Sequence, residues 1–170
     1  VIDEVQDTLL YLMLYFQGEP YLHPHFHELV RYASERNIYT ATSTNAHFLS
    51  REKAEHTVLS GLDRLIISVD GTAQDTYGKY RVGGKLDTVI EGIDALVRAK
   101  EKLKSKTPFI QLQFIVFGFN EHQVLSFKKL CSQWNLKPLI KSAQLYGDEA
   151  ETSFLPEDTK LSRYTKDGSG

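Results

Sequence analysis

The first residues suited to ligand chemistry are Gly18, Glu19 and Pro20, which follow an apolar run over residues 9–16. Pro20 favours an extended backbone at the residue before it, and Gly18 lets a ligand approach the main chain closely. A carboxylate in this position could hold an ammonium group through charge-assisted hydrogen bonds. A salt-bridged turn explains the same three residues equally well.

Two further pairs of polar residues stand where apolar segments end. Ser43 and Asn45 form one pair, and Ser68 and Asp70 form the other. Because alternate residues of a strand point to one face, each pair is predicted to present its side chains together. A hydroxyl beside a carboxylate, as in the second pair, suits the hydroxyl groups of a ribose. Helix capping or turn formation is the competing role for both pairs.

Arg81 is a candidate for binding an anion. It lies in the segment Tyr80-Arg81-x-Gly83-Gly84, just before a long predicted helix. A guanidinium there could bind a carboxylate through two parallel hydrogen bonds. A surface arginine without a ligand is the alternative.

Three alternating histidines, His23, His25 and His27, could form a metal site and serve a metal-dependent hydrolase. However, Pro24 is predicted to begin a helix, and residues two apart on a helix do not face each other. We therefore predict no metal site unless this segment stays extended. Cys131 is the single cysteine, which excludes a cysteine-only metal site, and it is predicted to be a buried, unreactive thiol.

Alternating strand and helix patterns position these residues. Apolar strand patterns cover residues 9–16, 38–44, 65–69 and 109–117, and a fifth begins at 139. Helical spacing covers residues 24–37, 50–60, 86–104 and 120–134, and Thr72 is predicted to open a short helix. Ser50 is a good N-cap, and Asn120 with Gln123 matches a capping box. This alternation is typical of α/β proteins with a parallel sheet, whose functional residues collect at the carboxyl ends of the strands.

The composition excludes several classes of protein. The chain has 170 residues, a net charge of −2 and 41% hydrophobic residues, which gives no basic footprint for nucleic acid. No apolar run is long enough to cross a membrane, so we expect a cytoplasmic protein without nucleic-acid or membrane partners. A closed barrel of eight strand–helix units needs roughly 250 residues. Five strands are therefore expected to be part of a larger barrel, followed by a loop or tail over residues 147–170.

Several segments resemble the radical S-adenosylmethionine (radical SAM) enzymes. Residues 14–22, with the sequence LYFQGEPYL, are similar to the GGEP-type segment on the second strand of that family. Residues 43–46 (STNA) are similar to the end of its third strand. Residues 63–71 (DRLIISVDG), with the tyrosines, arginine and glycine of residues 77–84 and the helix after them, resemble the fourth strand and helix of the SPASM-containing subgroup. The resemblance covers about residues 5–145.

The resemblance implies a fold, a cofactor and a binding site. The fold would be a partial, TIM-like (β/α)6 barrel, of which residues 1–146 would hold strands two to six. The methionyl amino group of S-adenosylmethionine would be bound at Gly18, Glu19 and Pro20. The adenine would lie against residues 113–116 and 140–142. Contacts to the ribose and to the methionyl carboxylate would come from Ser43, Asn45, Ser68, Asp70 and Arg81.

This sequence departs from the family in its cysteines. The family's first strand and its CxxxCxxC loop, whose thiolates hold a [4Fe–4S] cluster, have no counterpart here, and neither has the SPASM region expected near residue 170. The resemblance implies that the complete parent protein reductively cleaves S-adenosylmethionine to a deoxyadenosyl radical, which abstracts hydrogen from a substrate such as a peptide. We expect this chain alone to be inactive and assign no catalytic residue. The alternative is a cluster-less barrel that binds a nucleotide or a peptide.

Overall fold

The computed structural model describes residues 1–144 and 154–164. Helices and strands alternate through most of the chain, as the sequence pattern predicts. In chain order they are α1 (Ile2–Val5), β1 (Tyr11–Met13), α2 (Phe26–Ser34), β2 (Tyr39–Thr44), α3 (Arg51–Leu59), β3 (Arg64–Ser68), α4 (Gln74–Tyr80), α5 (Leu86–Lys102), β4 (Phe109–Val116), α6 (Val124–Gln133) and β5 (Lys137–Ser142), with short 3₁₀ helices at Pro20–Leu22, Glu121–Gln123 and Thr159–Leu161.

The five strands form one sheet in the order β1-β2-β3-β4-β5, which is also their order along the chain. β1 pairs with β2 in parallel, with Tyr11 opposite Tyr39, and β2 pairs with β3 in parallel, with Ala41 opposite Arg64. Parallel neighbours need crossover connections, and helical segments supply them here. The predicted α/β class with a parallel sheet is confirmed.

The chain divides into two compact units, each with its own buried side chains. The first unit consists of Val1–Ser68 with Asp87–Gln111, and the second of Val69–Leu86 with the residues from 112 onward. Burial of each large apolar side chain contributes about 1.5–3 kcal/mol to stability. The most deeply buried ones include Val30, Ile38, Leu65, Ile67, Ile93 and Leu96 in the first unit, and Val69, Tyr77, Leu112, Phe114 and Phe127 in the second.

Cys131 lies on the buried side of α6 and is 1% exposed. Burial raises the pKa of its thiol to about 11, because the thiolate would lose its hydration. The prediction of a buried cysteine is therefore confirmed.

The prediction of a first strand over residues 9–16 that is buried on both faces is wrong. β1 covers only Tyr11–Met13, and Tyr11 and Met13 are 43% and 53% exposed. The reason is its place in the sheet: β1 is an edge strand and has β2 as its only neighbouring strand among the described residues. Leu10 and Phe16, on either side of it, are also exposed.

The structure confirms one of the predicted helix starts and shifts two others by two residues. Ser50 caps α3, since its Oγ accepts a hydrogen bond from the Lys53 N–H at 3.2 Å. The second helix begins at Phe26 rather than Pro24, because residues 20–22 form a separate 3₁₀ turn. The short fourth helix begins at Gln74, two residues after Thr72.

The capping box predicted for Asn120 and Gln123 is wrong. Neither side chain bonds to the helix start, because both bond to other loops, as described below. Of the predicted tail, residues 147–153 and 165–170 lie outside the described residues, and residues 154–164 contain a 3₁₀ turn. No helix in the described ranges combines the length and the apolar character that crossing a membrane requires.

Candidate functional site

The carboxylate of Glu19 joins the segment after β1 to the end of β2 in the first unit. Its Oε1 accepts hydrogen bonds from the Thr44 hydroxyl at 2.7 Å and from the Tyr21 N–H at 3.2 Å. Its Oε2 accepts a hydrogen bond from the Asn45 N–H at 2.8 Å. Glu19 therefore holds two strand ends together, a use of the carboxylate that the sequence pattern did not indicate.

Three groups beside this cross-link are accessible. Gly18 is exposed with a φ of +84°, and a Cβ placed on it would meet nothing within 4 Å, so its main chain faces open space. Ser43 and Asn45 are partly exposed. Asn45 also makes the turn considered as its competing role, since its Oδ1 accepts a hydrogen bond from the His47 N–H at 3.0 Å. The first unit thus presents main-chain and side-chain polar groups next to Glu19.

A hydrogen-bond network around Thr57 fixes the segment that follows Glu19. The Thr57 hydroxyl donates to the Lys53 carbonyl at 2.7 Å, so it can only accept from its two other partners. These are the Tyr21 hydroxyl at 2.9 Å and the Nε2 of His27 at 3.1 Å. Lys53 Nζ also donates to the Tyr21 carbonyl at 3.1 Å. The helix α3 therefore anchors the residues that position Glu19.

The His27 ring in this network should make stability depend on pH. Partial burial, followed by the nearby His56 and Lys53, lowers the pKa of His27 from 6.5 to about 4. The unfolded chain then binds the proton at a higher pH than the folded chain does, so stability should fall as pH drops from about 6.5 to 4. We expect the melting temperature to fall less over this window in His27→Phe than in the unchanged protein.

An outcome that contradicts this prediction is an equal loss in both proteins. His23→Phe is the matched control, because His23 is exposed and its Nδ1 accepts from the His25 N–H. Its pH profile should follow that of the unchanged protein.

The three histidines do not meet around one point. His27 bonds to Thr57, whereas the Nδ1 of His25 lies 3.2 Å from Glu28 Oε2, and the Nδ1 of His23 accepts from the His25 N–H. Within residues 1–144 and 154–164, no group of three or more His, Cys, Asp or Glu side chains could hold a metal ion.

Asp70 and Arg81 form a buried ion pair in the second unit. Asp70 is 0% exposed, and its Oδ2 accepts hydrogen bonds from Arg81 Nε at 2.9 Å and Nη2 at 2.5 Å. Its Oδ1 accepts a hydrogen bond from the Ile115 N–H at 2.7 Å. Burial raises the pKa of Asp70, while the Arg81 charge and the Ile115 N–H oppose that rise. The side chain of Arg81 is 27% exposed, and its two hydrogen bonds to Asp70 fix the orientation of the guanidinium.

The prediction that Ser68 and Asp70 share a strand face is wrong. β3 ends at Ser68, and Asp70 has a φ of +37°, so the alternation of a strand does not reach Asp70. Ser68 itself is buried at the end of β3. The left-handed backbone at Asp70 turns its carboxylate toward Arg81 and Ile115 instead.

Asn120 and Gln123 hold the loop that carries Asp70. Asn120 Nδ2 donates to the Asp70 carbonyl at 3.1 Å and to the Ile115 carbonyl at 2.9 Å. Gln123 Oε1 accepts from the Thr72 N–H at 2.8 Å, and its Nε2 donates to the Thr76 hydroxyl at 3.1 Å. Both amides are buried, so they act as fixed braces.

The candidate residues therefore fall into two groups. The first unit brings Glu19 and Asn45 into direct contact, and the second unit does the same for Asp70 and Arg81. Residues 113–116 lie in β4 and residues 140–142 in β5. Sequence reasoning gave Thr44 no role and gave Gln123 only the role of a helix cap. The position of Thr44 at the end of β2 was a signal for it, whereas Gln123 lies seven residues after β4 and carried no such signal.

Comparison with known proteins identifies the family. Residues 1–131 match the family described as "Radical SAM superfamily". An AdoMet-dependent heme synthase from Methanosarcina barkeri is 29% identical over 99 residues, which are 58% of this chain and 28% of that protein. A probable GTP 3',8-cyclase from Saccharolobus solfataricus is 30% identical over 113 residues, which are 66% of this chain and 35% of that protein. The chain thus spans about a third of the length of these curated relatives.

Solved structures share the fold at low sequence identity. Streptococcus suis SuiB gives a TM-score of 0.72 at 12% identity, covering 94% of this chain and 36% of SuiB. Native anSMEcpe with bound AdoMet and Kp18Cys peptide gives 0.68 at 15% identity, covering 94% of this chain and 46% of that one. These structures show the fold, and the family match over residues 1–131 shows that the chain belongs to the radical SAM superfamily, whose enzymes use S-adenosylmethionine and a [4Fe–4S] cluster.

Proposed function

We propose that this chain is the S-adenosylmethionine-binding part of a radical SAM enzyme. The observation that carries the proposal is the Glu19 cross-link, which ties the segment after β1 to the end of β2 and leaves polar groups accessible beside it. The accessible groups are the Gly18 main chain and the side chains of Ser43 and Asn45. Groups of this kind can form hydrogen bonds with an amine and with ribose hydroxyls. Strand ends are also where ligands bind in parallel α/β proteins.

In the first unit, the methionyl amino group is held at residues Gly18, Glu19 and Pro20. The accessible Gly18 main chain accepts from the ammonium group, and Glu19 supplies negative charge while its own hydrogen bonds keep the turn rigid. Ser43, Asn45 and the end of β3 at Ser68 bind the ribose hydroxyls. Residues 113–116 and 140–142, which belong to the second unit, bind the adenine.

In the second unit, Arg81 binds the methionyl carboxylate. Its guanidinium has five N–H donors, of which Asp70 uses two, and the remaining ones can pair with a second carboxylate. Asp70 then acts mainly as a positioning residue, because it is fully buried and its two oxygens already accept hydrogen bonds.

The cluster cannot be held by this chain. The sequence has one cysteine, Cys131, which is buried and has a raised pKa, whereas the cluster needs three thiolate ligands. In the whole protein, a reduced [4Fe–4S] cluster would supply the electron that cleaves bound S-adenosylmethionine to methionine and a deoxyadenosyl radical, and the radical would abstract hydrogen from the substrate. The chain alone is inactive in this proposal, and it contributes binding, orientation and exclusion of water.

We also propose a SPASM-containing parent that modifies a peptide. Residues 1–146 form the barrel part, and residues 147–170 lead toward the SPASM region. Two structural neighbours support a peptide substrate: SuiB bound to its precursor peptide SuiA, and anSMEcpe with the Kp18Cys peptide.

The test is an NMR titration of the 170-residue chain with S-adenosylmethionine and with 5′-deoxyadenosine. Without the cluster, binding is expected to be weak, with a Kd of roughly 1 mM. Backbone amide signals of Gly18 and Asn45 should shift with S-adenosylmethionine. Glu19→Gln should weaken S-adenosylmethionine about tenfold and weaken 5′-deoxyadenosine less, because only the former carries the methionyl amine.

Glu28→Gln is the control, since Glu28 is an exposed glutamate on α2. It should leave both ligands unaffected. The proposal is overturned if S-adenosylmethionine shifts no amide at these strand ends. It is also overturned if Glu19→Gln weakens both ligands equally.

A further inference from the structure

One face of the sheet in the first unit carries an arginine whose side chain is hydrogen-bonded by a neutral glutamine. Arg64 begins β3, and its partner in the parallel register is Ala41. Register partners, and alternate residues along a strand, share one face of a sheet. We call this surface the Arg64 face, and it comprises Tyr11, Met13, Tyr39, Ala41, Arg64, Ile66, Phe109 and Gln111.

A neutral neighbour orients the Arg64 guanidinium. Its Nε and Nη2 both donate to Gln111 Oε1, at 2.9 and 2.5 Å. These bonds occupy two of the five N–H donors, and because the glutamine acceptor is neutral, they do not compensate the positive charge. In the part of the chain that the structure describes, Arg64 forms no ion pair with an aspartate or glutamate. The side chain is thus held in place while its charge stays available.

The surroundings of Arg64 are apolar. Ala41 and Ile66 are buried, at 1% and 5% exposure, and Arg64 itself is only partly exposed. Tyr39 and Phe109 on the same face are 41% and 46% exposed, and the Tyr39 ring stacks on Tyr11 at 5.4 Å. A half-buried cation attracts an anion more strongly than a fully hydrated one does. Accessible aromatic rings beside it offer contact to an apolar body.

We propose that the Arg64 face binds the substrate through an oxyanion, a carboxylate or a phosphate, that is attached to an apolar or aromatic body. The planar, fixed guanidinium matches such an oxyanion with paired hydrogen bonds. Arg64 is then a specificity-determining residue, and the substrate class is an amphipathic anion. This inference rests on the proposed function, because it takes the Arg64 face to be the surface that receives the substrate.

The test compares small aromatic probes on the 170-residue chain. 2-Naphthoate and 2-naphthamide share one ring system and differ in charge, and 2-naphthyl phosphate replaces the carboxylate by a phosphate. We expect 2-naphthoate to bind about tenfold more tightly than 2-naphthamide, with shifted amide signals at Arg64 and Gln111. The ratio of the carboxylate and phosphate affinities then tells which oxyanion the face prefers.

Two variants test the role of the charge. Arg64→Gln removes it, and Gln111→Glu neutralises it while leaving the arginine in place. Each should bring 2-naphthoate to the affinity of 2-naphthamide without changing that of the neutral probe. Arg98→Gln is the control, because Arg98 lies exposed on α5, paired with Asp94, and it should preserve the difference.

The inference is overturned if both variants keep the preference for 2-naphthoate. It is equally overturned if the unchanged chain binds the charged and neutral probes alike. S-Adenosylmethionine titrations of the same variants separate this result from the proposed function. If Arg64→Gln and Gln111→Glu lose the preference for 2-naphthoate and still bind S-adenosylmethionine as the unchanged chain does, the inference is supported. The result for Glu19→Gln tests the proposed function separately.

Discussion

Replacing Asp70 by alanine is expected to lower the free energy of unfolding by about 3 kcal/mol or more, because it removes the fully buried partner of an ion pair. The change leaves the Arg81 guanidinium and the Ile115 N–H without their acceptor. It also removes the carboxylate around which the loop after β3 is built. Equilibrium unfolding in urea, followed by circular dichroism, measures the loss. Asp7→Ala is the control, since Asp7 is exposed, and it should change stability by less than about 0.5 kcal/mol.

The partner variant Arg81→Ala separates the charge effect from packing. It leaves Asp70 buried beside one N–H donor, which should raise the pKa of Asp70 further. A carboxyl whose pKa is raised in the folded state costs no stability below its unfolded-state pKa; the cost grows as pH rises from that value to the folded-state pKa and is complete above it. The deficit of Arg81→Ala relative to the unchanged protein should therefore be largest at neutral pH and shrink on acidification. A deficit that does not vary with pH would mean that Arg81 stabilises the loop by contact alone.

Much of the fold could be predicted from the sequence, because burial imposes the period of strands and helices on the apolar residues. β2, β3 and β4 lie within one residue of their predicted ends. The apolar pattern could not reveal that β1 lies at the edge of the sheet, because the residue type alone does not show whether a leucine is exposed or buried. Exposure depends on neighbours in space, which only the strand order supplies.

The positions of the site residues along the chain could be predicted, but their hydrogen-bond partners could not. Spacing placed Glu19, Asn45 and Asp70 near strand ends, yet period-2 alternation assumes an extended backbone. It therefore failed at Asp70, whose φ is positive. Asn120 fits a local helix cap and a distant brace equally well, because a side-chain amide can bond to either kind of backbone group. The structure selects the brace to Asp70 and Ile115, 50 and 5 residues away.

Replacing Gly71 and Gly78 by alanine should change the free energy of unfolding in opposite directions. Gly71 packs against the short helix α4, and Gly78 lies within it. A Cβ on Gly71 would lie 2.7 Å from the backbone N and Cα of Tyr77, and Tyr77 is fully buried in α4. Backbone atoms cannot step aside as a flexible side chain can, so either α4 or the loop must shift. We expect Gly71→Ala to lower the free energy of unfolding by about 1–3 kcal/mol or more.

Gly78 lies in the same helix, and a Cβ there would meet only Gln74 Nε2 at 3.7 Å, an ordinary contact. Alanine also loses less conformational freedom than glycine on folding into a helix, so Gly78→Ala should raise the free energy of unfolding by about 0.4–1 kcal/mol. Urea unfolding of the two variants gives the signs. The NMR signal of Arg81 Nε–H, which donates to Asp70, reports on the loop directly and should move in Gly71→Ala but not in Gly78→Ala. If Gly71→Ala kept both its stability and this signal, the close approach of the loop to α4 would not be what positions Asp70 for Arg81.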